Sequence, residues 1–237
     1  MRKITVLLAG LAVAIALGCK KDEAEKPKVS YKENARTTAL QEDSPQIQIA
    51  DLPIHIQGTN VLLHPIGNYR VDGKRKAAYG YEKGSFTISN FSEFQLTGYL
   101  QNIKFQEIGS DSIRSLIDKP VLIQTATFLK VLADKTKQQV MVYTLADMDT
   151  NQDGNLDASD IQSLYLSEMN GTKLTKISAD YQELIDWNLI EAKSRLYFRT
   201  IEDTNKNGEF DKNDVLHYHY VDMANPAWKV ENYSPVN

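Results

Sequence analysis

Residues 149–160 read Asp-Thr-Asn-Gln-Asp-Gly-Asn-Leu-Asp-Ala-Ser-Asp. Counting Asp149 as position 1, side-chain oxygens fall at positions 1, 3, 5, 9 and 12, on Asp149, Asn151, Asp153, Asp157 and Asp160. A hard cation such as Ca²⁺ takes about six to eight oxygens at roughly 2.3–2.6 Å. A short chain supplies that many only by curling round the ion with alternate residues turned inward. The curl needs a residue that tolerates positive φ at its middle, and Gly154 stands there. Position 7, Asn155, offers its backbone carbonyl, and Leu156 points away toward a core. The pattern returns 54 residues later. Asp203, Asn205, Asn207, Asp211 and Asp214 repeat the ligand positions, Gly208 the turn, Glu209 the carbonyl position and Phe210 the apolar one. Asp, Asn and Gly are ordinary turn residues. Two matches in one register are harder to attribute to turn composition than one.

These loops resemble the calcium loops of the EF-hand and dockerin families, over about 24 of the 237 residues. The resemblance implies two Ca²⁺ sites. Loop one has four carboxylates and loop two three at ligand positions, so loop one is expected to bind tighter. An EF-hand or dockerin loop leads into a helix. Ile161, Leu164 and Tyr165 have helical spacing, which leaves loop one open on this point. Around loop two, Leu196–Ile201 and Val215–Val221 are β-branched and aromatic, which favours strands. Both are therefore read as hairpin tips, similar to the D-x-D-x-D-G-x-x-D loops of integrin-type propeller blades. In that geometry Asp157 and Asp211 ligate directly, and Asp160 and Asp214 are optional ligands or caps.

The elements around the loops repeat too. One unit reads Val140–Leu145, loop, Gln162–Ser167, an Asn170-Gly171 turn and Leu174–Ile177. The other reads Arg195–Ile201, loop, Val215–Tyr220, a turn at Ala224 to Pro226 and Trp228–Val230. A strand at Leu184–Ile190 precedes the second unit, and Val121–Leu132 fills that slot in the first. Each unit is then a four-stranded meander with the metal loop between its second and third strands. This half resembles blades of the TolB-type propellers, which implies a small β-propeller-like domain. A two-sheet sandwich is the rival.

The rest of the chain reads mainly β. Gln46–Ile49 alternates, followed by Pro53–Gln57 and Val61–Ile66. Asn68–Gly80 reads as a loop or exposed hairpin. Strands are expected at Ala77–Tyr81, Ser85–Ser89 and Phe94–Phe105, and a helical turn at Asp111–Ile117.

The chain opens with Met1-Arg2-Lys3, an apolar run from Ile4 to Leu17, then Gly18-Cys19. That is a secretory signal, too short to span a bilayer comfortably. Cys19 is the only cysteine, so no disulfide forms within one chain. Ala16-Leu17-Gly18-Cys19 resembles a bacterial lipobox. The resemblance implies cleavage after residue 18, lipidation of Cys19 and a cell-envelope location. A plain signal peptide or signal anchor is the alternative. Lys21-Asp22-Glu23 is similar to export tags on surface lipoproteins of Bacteroidota-type bacteria, which implies the outer membrane and surface exposure. Residues 19–45 are charged and polar and read as a flexible tether, with a reach of roughly 25–30 Å; residues 46–237 are the β-domain.

Removing residues 1–18 shifts the formal charge from −4 to −6. An acidic chain without a basic stripe is a poor nucleic-acid ligand. His217 and His219 share one face of a strand, with His55 and His64 distant in sequence, so a transition-metal site lacks a third ligand. There is no Gly-rich phosphate loop, serine elbow or zincin helix. The expectation is therefore a non-enzymatic binding or scaffold protein anchored by lipid, with Trp187, Trp228 and the tyrosines available to a glycan or protein ligand. A dockerin-type recognition module and an envelope hydrolase are the alternatives.

Overall fold

The computed structural model describes residues 26–31, 46–70 and 87–236. The signal segment, Cys19 and the expected strand at 77–81 lie outside them. The strands run β1 (Gln46–Ala50), β2 (Ile54–His55), β3 (Val61–Arg70), β4 (Ser89–Ser92), β5 (Gln95–Leu100), β6 (Asn102–Glu107), β7 (Ile113–Ser115) and β8 (Leu122–Phe128). Helix α1 (Lys130–Thr136) follows, then β9 (Val140–Ala146), β10 (Ser163–Glu168), β11 (Thr175–Lys176), β12 (Gln182–Ile190), β13 (Arg195–Glu202), β14 (Val215–Asp222) and β15 (Val230–Asn232).

Among the described residues these strands make three antiparallel sheets. The first has the order β1-β3-β6-β7, with β2 also on β3; the second is β11-β10-β9-β8-β5-β4; the third is β12-β13-β14-β15. The mainly β, antiparallel expectation holds. So do the two meanders, β8 to β11 and β12 to β15, each with its acidic loop between second and third strands. No closed barrel or propeller forms among the described residues. The sheets stack face to face instead, which is a sandwich with three layers.

The middle sheet explains the stacking. Every residue of β9 is buried. Met141, Tyr143 and Leu145 enter a core shared with Leu63, Ile103 and Phe105 of the first sheet. Val140 and Val142 enter a second core with Leu196, Phe198 and Val221 of the third. A strand covered on both faces must be apolar at every position, and Val-Met-Val-Tyr-Thr-Leu-Ala nearly is. Tyr143 satisfies its buried hydroxyl on Ser167 at 2.8 Å.

Three expectations are corrected. Phe94–Phe105 is not one strand: it divides into β5 in the second sheet and β6 in the first, turning at Gln101, whose N–H donates to Ile66 O. Asp111–Ile117 contains a strand, β7, in place of the expected helical turn. Its ladder to β6, with Arg114 opposite Phe105, outweighs the local spacing of Ile113, Leu116 and Ile117. The strand expected to reach Leu132 ends at Phe128 and gives way to α1. There Leu129 and Leu132 face the second core and Ala133 the first, Lys130 pairs with Asp134, and Lys137 closes the helix at φ 63°.

The Asn170-Gly171 turn binds sheet one to sheet two. Gly171 has φ 76°, and a Cβ there would lie 2.6 Å from the buried Phe105 ring. Gly171→Ala is expected to cost about 2 kcal/mol or more, from strain plus overpacking. Gly58→Ala, at φ 89° with nothing within 4 Å of the added carbon, should cost only the strain. Urea unfolding of the two variants measures the difference.

Candidate metal centre

Both acidic loops are hairpin tips. β9 pairs with β10 up to Leu145 opposite Ser163, and β13 with β14 up to Glu202 opposite Val215. Neither loop leads into a helix. Within each, positions 4 and 6 lie in the left-handed region: Gln152 at 59° and Gly154 at 95°, Lys206 at 56° and Gly208 at 85°. Two such residues one apart curl the chain back on itself.

The curl is held by side-chain oxygens that accept backbone N–H bonds, in the same register in both loops. The N–H at position 6 donates to the carboxylate at position 1: Gly154 to Asp149 at 3.0 Å, Gly208 to Asp203 at 2.7 Å. Position 5 donates to position 3: Asp153 to Asn151 and Asn207 to Asn205, both at 2.9 Å. Position 7 donates to position 5: Asn155 to Asp153 at 2.7 Å, Glu209 to Asn207 at 2.8 Å. Position 11 donates to position 9: Ser159 to Asp157 at 2.8 Å, Asn213 to Asp211 at 2.7 Å. Position 12 then clasps both ends. Asp160 accepts from Thr150 N at 2.7 Å and Asp157 N at 3.0 Å; Asp214 accepts from Thr204 N at 3.2 Å and Asp211 N at 2.8 Å. Of the two roles open to Asp160 and Asp214, these bonds are the cap.

The donor set suits a hard cation. Carboxylate oxygens at 1 and 9, side-chain oxygens at 3 and 5 and a carbonyl at 7 leave no nitrogen or sulfur ligand. Asp157 Oδ1 takes both the N–H and the hydroxyl of Ser159, so an ion would be met by its Oδ2. Among the described residues no three His, Cys, Asp or Glu side chains gather as a metal group. Amide and carbonyl oxygens fill much of each loop, and the clasp takes one acid from each.

The loops differ in enclosure. Asp160 is fully buried, with Thr150 and Ser159 nearly so. Burial raises the Asp160 pKa above the ordinary carboxylate value, although its backbone N–H bonds act to lower it. In loop two only Asp203 is comparably buried, and Asn205, Asn207, Glu209 and Asp211 are exposed.

Residues 26–31, expected to be free tether, lie across both loops. Three successive N–H groups donate alternately: Lys28 to Ser159 O at 3.0 Å, Val29 to Gly208 O at 3.1 Å, Ser30 to Thr150 O at 2.7 Å. Val29 is buried, and a Cβ on Gly208 would lie 2.7 Å from Val29 O. Tyr31 donates to Asp203 O at 3.3 Å; burial and the Asp203 charge push its pKa up to about 12. Sequence reasoning missed this segment. The only signal was Val29-Ser30-Tyr31, a short apolar interruption in a charged stretch.

Other candidates are less assembled. His217 and His219 do share a face, with rings 6.1 Å apart, but His217 contacts Glu202 and His219 contacts Asn232 and Thr200. His55 contacts Thr59 O and His64 contacts Gln106. At the end of the sheets away from the loops is a cavity of about 480 Å³, lined by residues that include Asn60, Glu107, Gln138, Glu168, Lys173 and Trp228. The buried Trp228 indole N–H has no hydrogen-bond partner among the described residues. Lys173 Nζ sits 4.2 Å from the Trp228 ring centre. Trp187 packs partly buried against the second core.

No family model matches the chain, and no curated protein matches it.

Where loop one rejoins the sheet, Gln162 N donates to Glu183 at 2.7 Å. Burial pushes Glu183 up to about 8 from an ordinary 4.5. The folded state therefore holds a proton that the unfolded chain releases near 4.5, so stability falls as pH rises from there toward 8. Glu183→Gln should flatten that fall. Urea midpoints at pH 5 and pH 8 for the two proteins provide the check.

Proposed function

We propose that this is an envelope lipoprotein, anchored through Cys19, whose β-domain is stabilised by two Ca²⁺ ions and serves binding or scaffolding. The observation that carries the proposal is the shared hydrogen-bond register of two loops 54 residues apart. Asp149, Asn151, Asp153, Asp157 and the Asn155 carbonyl would hold one ion. Asp203, Asn205, Asn207, Asp211 and the Glu209 carbonyl would hold the other. Bound there, the ion would supply positive charge where the carboxylates of each tip otherwise repel one another. No catalytic residue enters the proposal. The ligand surface is placed at the cavity beside Trp228, whose aromatic, amide and charged lining suits a polar ligand such as a glycan. A dockerin-type reading finds no support in the strands that flank both loops.

Extracellular sites of this kind bind at roughly 0.1–1 mM. At a hundred times Kd each ion adds about 2.7 kcal/mol. That is a large share of a total stability of roughly 5–15 kcal/mol. Melting of the residue 20–237 protein should rise with added calcium and fall with EDTA. Asp149→Asn with Asp153→Asn should remove the tighter of two binding steps in calorimetry, and Asp203→Asn with Asp211→Asn the weaker. An unchanged melting temperature from EDTA to millimolar calcium would reject the calcium assignment.

A further inference from the structure

We propose that residues 26–31 are a strap that fixes how the domain sits on the bilayer, with the two acidic loops turned toward the lipid headgroups and the Trp228 cavity turned away. The proposal rests on the acylation of Cys19 proposed above. A chain of 27 residue steps from Cys19 to Gln46 would leave the domain free to tumble. The strap shortens that leash. Lys26 is seven steps from Cys19, which spans at most about 25 Å.

The strap is attached at one end of the molecule. Its backbone donors reach Ser159, Gly208 and Thr150, all in the acidic loops. Thr150 Oγ1 returns a bond to Lys28 O at 3.1 Å, and Gln152 reaches Ser30 O at 3.1 Å. Val29 is buried and Lys206 lies 5.7 Å from the Tyr31 ring centre. The cavity is at the other end of the strands, where Val140 begins β9 and Glu168 ends β10. β9 is seven residues long, so about 20 Å separates the ends. The leash is attached at the loop end, so with the strap docked the cavity end can sit beside the membrane only if the leash runs the whole length of the domain at nearly full stretch.

Charge makes the arrangement depend on the ions. The two twelve-residue loops hold eight acids and two lysines, a formal −6 that anionic headgroups would repel. Two divalent ions reduce that to −2, and Lys26 and Lys28 of the strap offset the remainder.

Because Cys19 is the only cysteine and is blocked when acylated, thiol dyes report single introduced positions. Lys212→Cys marks the loop end and Ala224→Cys the cavity end; both sites are exposed. The full-length acylated protein is placed in phosphatidylethanolamine/phosphatidylglycerol vesicles carrying a headgroup acceptor dye, in calcium. Energy transfer should be about twofold or more stronger from position 212 than from 224, given the roughly 20 Å between them. Val29→Asp, which buries a charge in the strap's seat, should erase that difference while the circular dichroism stays unchanged. Equal transfer from both positions in protein that mass spectrometry shows to be acylated overturns the strap proposal alone. Protein that carries no acyl chain overturns both this proposal and the anchor it rests on.

Discussion

A backbone N–H that leaves a sheet ladder must find another acceptor or lose roughly the cost of an unmade hydrogen bond. Two of the hairpin tips in this protein are long, and inside them the ladder gives no help. Aspartate and asparagine take over, each accepting from an N–H two residues on or across the loop. That constraint governs the shape of both tips. It fixes the left-handed turns at positions 4 and 6, it forces position 12 to act as the clasp, and it gathers carboxylates that repel. The loops are thus shaped by neutral geometry and opposed by charge. The divalent cation proposed for each loop would relieve the second without disturbing the first.

The sheets behind the loops decide where the tips end up. Because β9 and β10 are covered on both faces, loop one emerges from the most deeply buried part of the molecule, and Asp160 is carried into the interior with it. Nearby, Asp147 is a buried acid with partners. Burial acts to raise its pKa, but Lys176, the Tyr165 hydroxyl and Lys119 outweigh that and hold it below the ordinary value. Asp160 has only backbone and hydroxyl donors, and its pKa is raised. Two aspartates close in sequence are therefore pushed in opposite directions by whether a lysine reaches them. Loop two springs from the outer sheet and keeps more of its side chains in water, so the same hydrogen-bond register is built there at lower burial.

Much of this was legible from residue types. The period of the acidic loops, the glycine at position 6 and the repeated strand–loop–strand–turn pattern each carry a local physical signal, and each corresponds to an element of the fold. The illegible parts depended on partners distant in sequence. β5 and β6 read as one strand because no turn residue such as Pro or Gly separates Leu100 from Ile103, although the apolar alternation changes phase at Gln101-Asn102; the Ile66 carbonyl and the two separate sheets show the break. Helix α1 was hidden because its seven residues are too few for a clear stripe, and it owes its existence to two cores that it seals at once. The middle layer itself was invisible for a similar reason. A short apolar run such as Val140–Ala146 says that both faces are covered but not by what. The strap was the deepest miss: a charged, proline-containing stretch has the composition of a linker, and what orders it is a row of loop carbonyls 120 or more residues away.

Those carbonyls would connect the strap thermodynamically to the ions proposed for the loops. Ser159, Gly208 and Thr150 present their oxygens to the strap only when both tips hold their curled shape. Any ion that favours the curled shape favours the docked strap, and linkage requires that the docked strap favour the ion by the same factor. The two loops are 54 residues apart and belong to different sheets, yet Lys28, Val29 and Ser30 bond to them in alternation. Each loop thereby feels the state of the other through three consecutive peptide groups. Gly208 is the most constrained member of this arrangement: it must lie at positive φ for the curl, and it must lack a Cβ for Val29 to approach. Gly154 holds the equivalent position in loop one and meets the first demand there, at φ 95°.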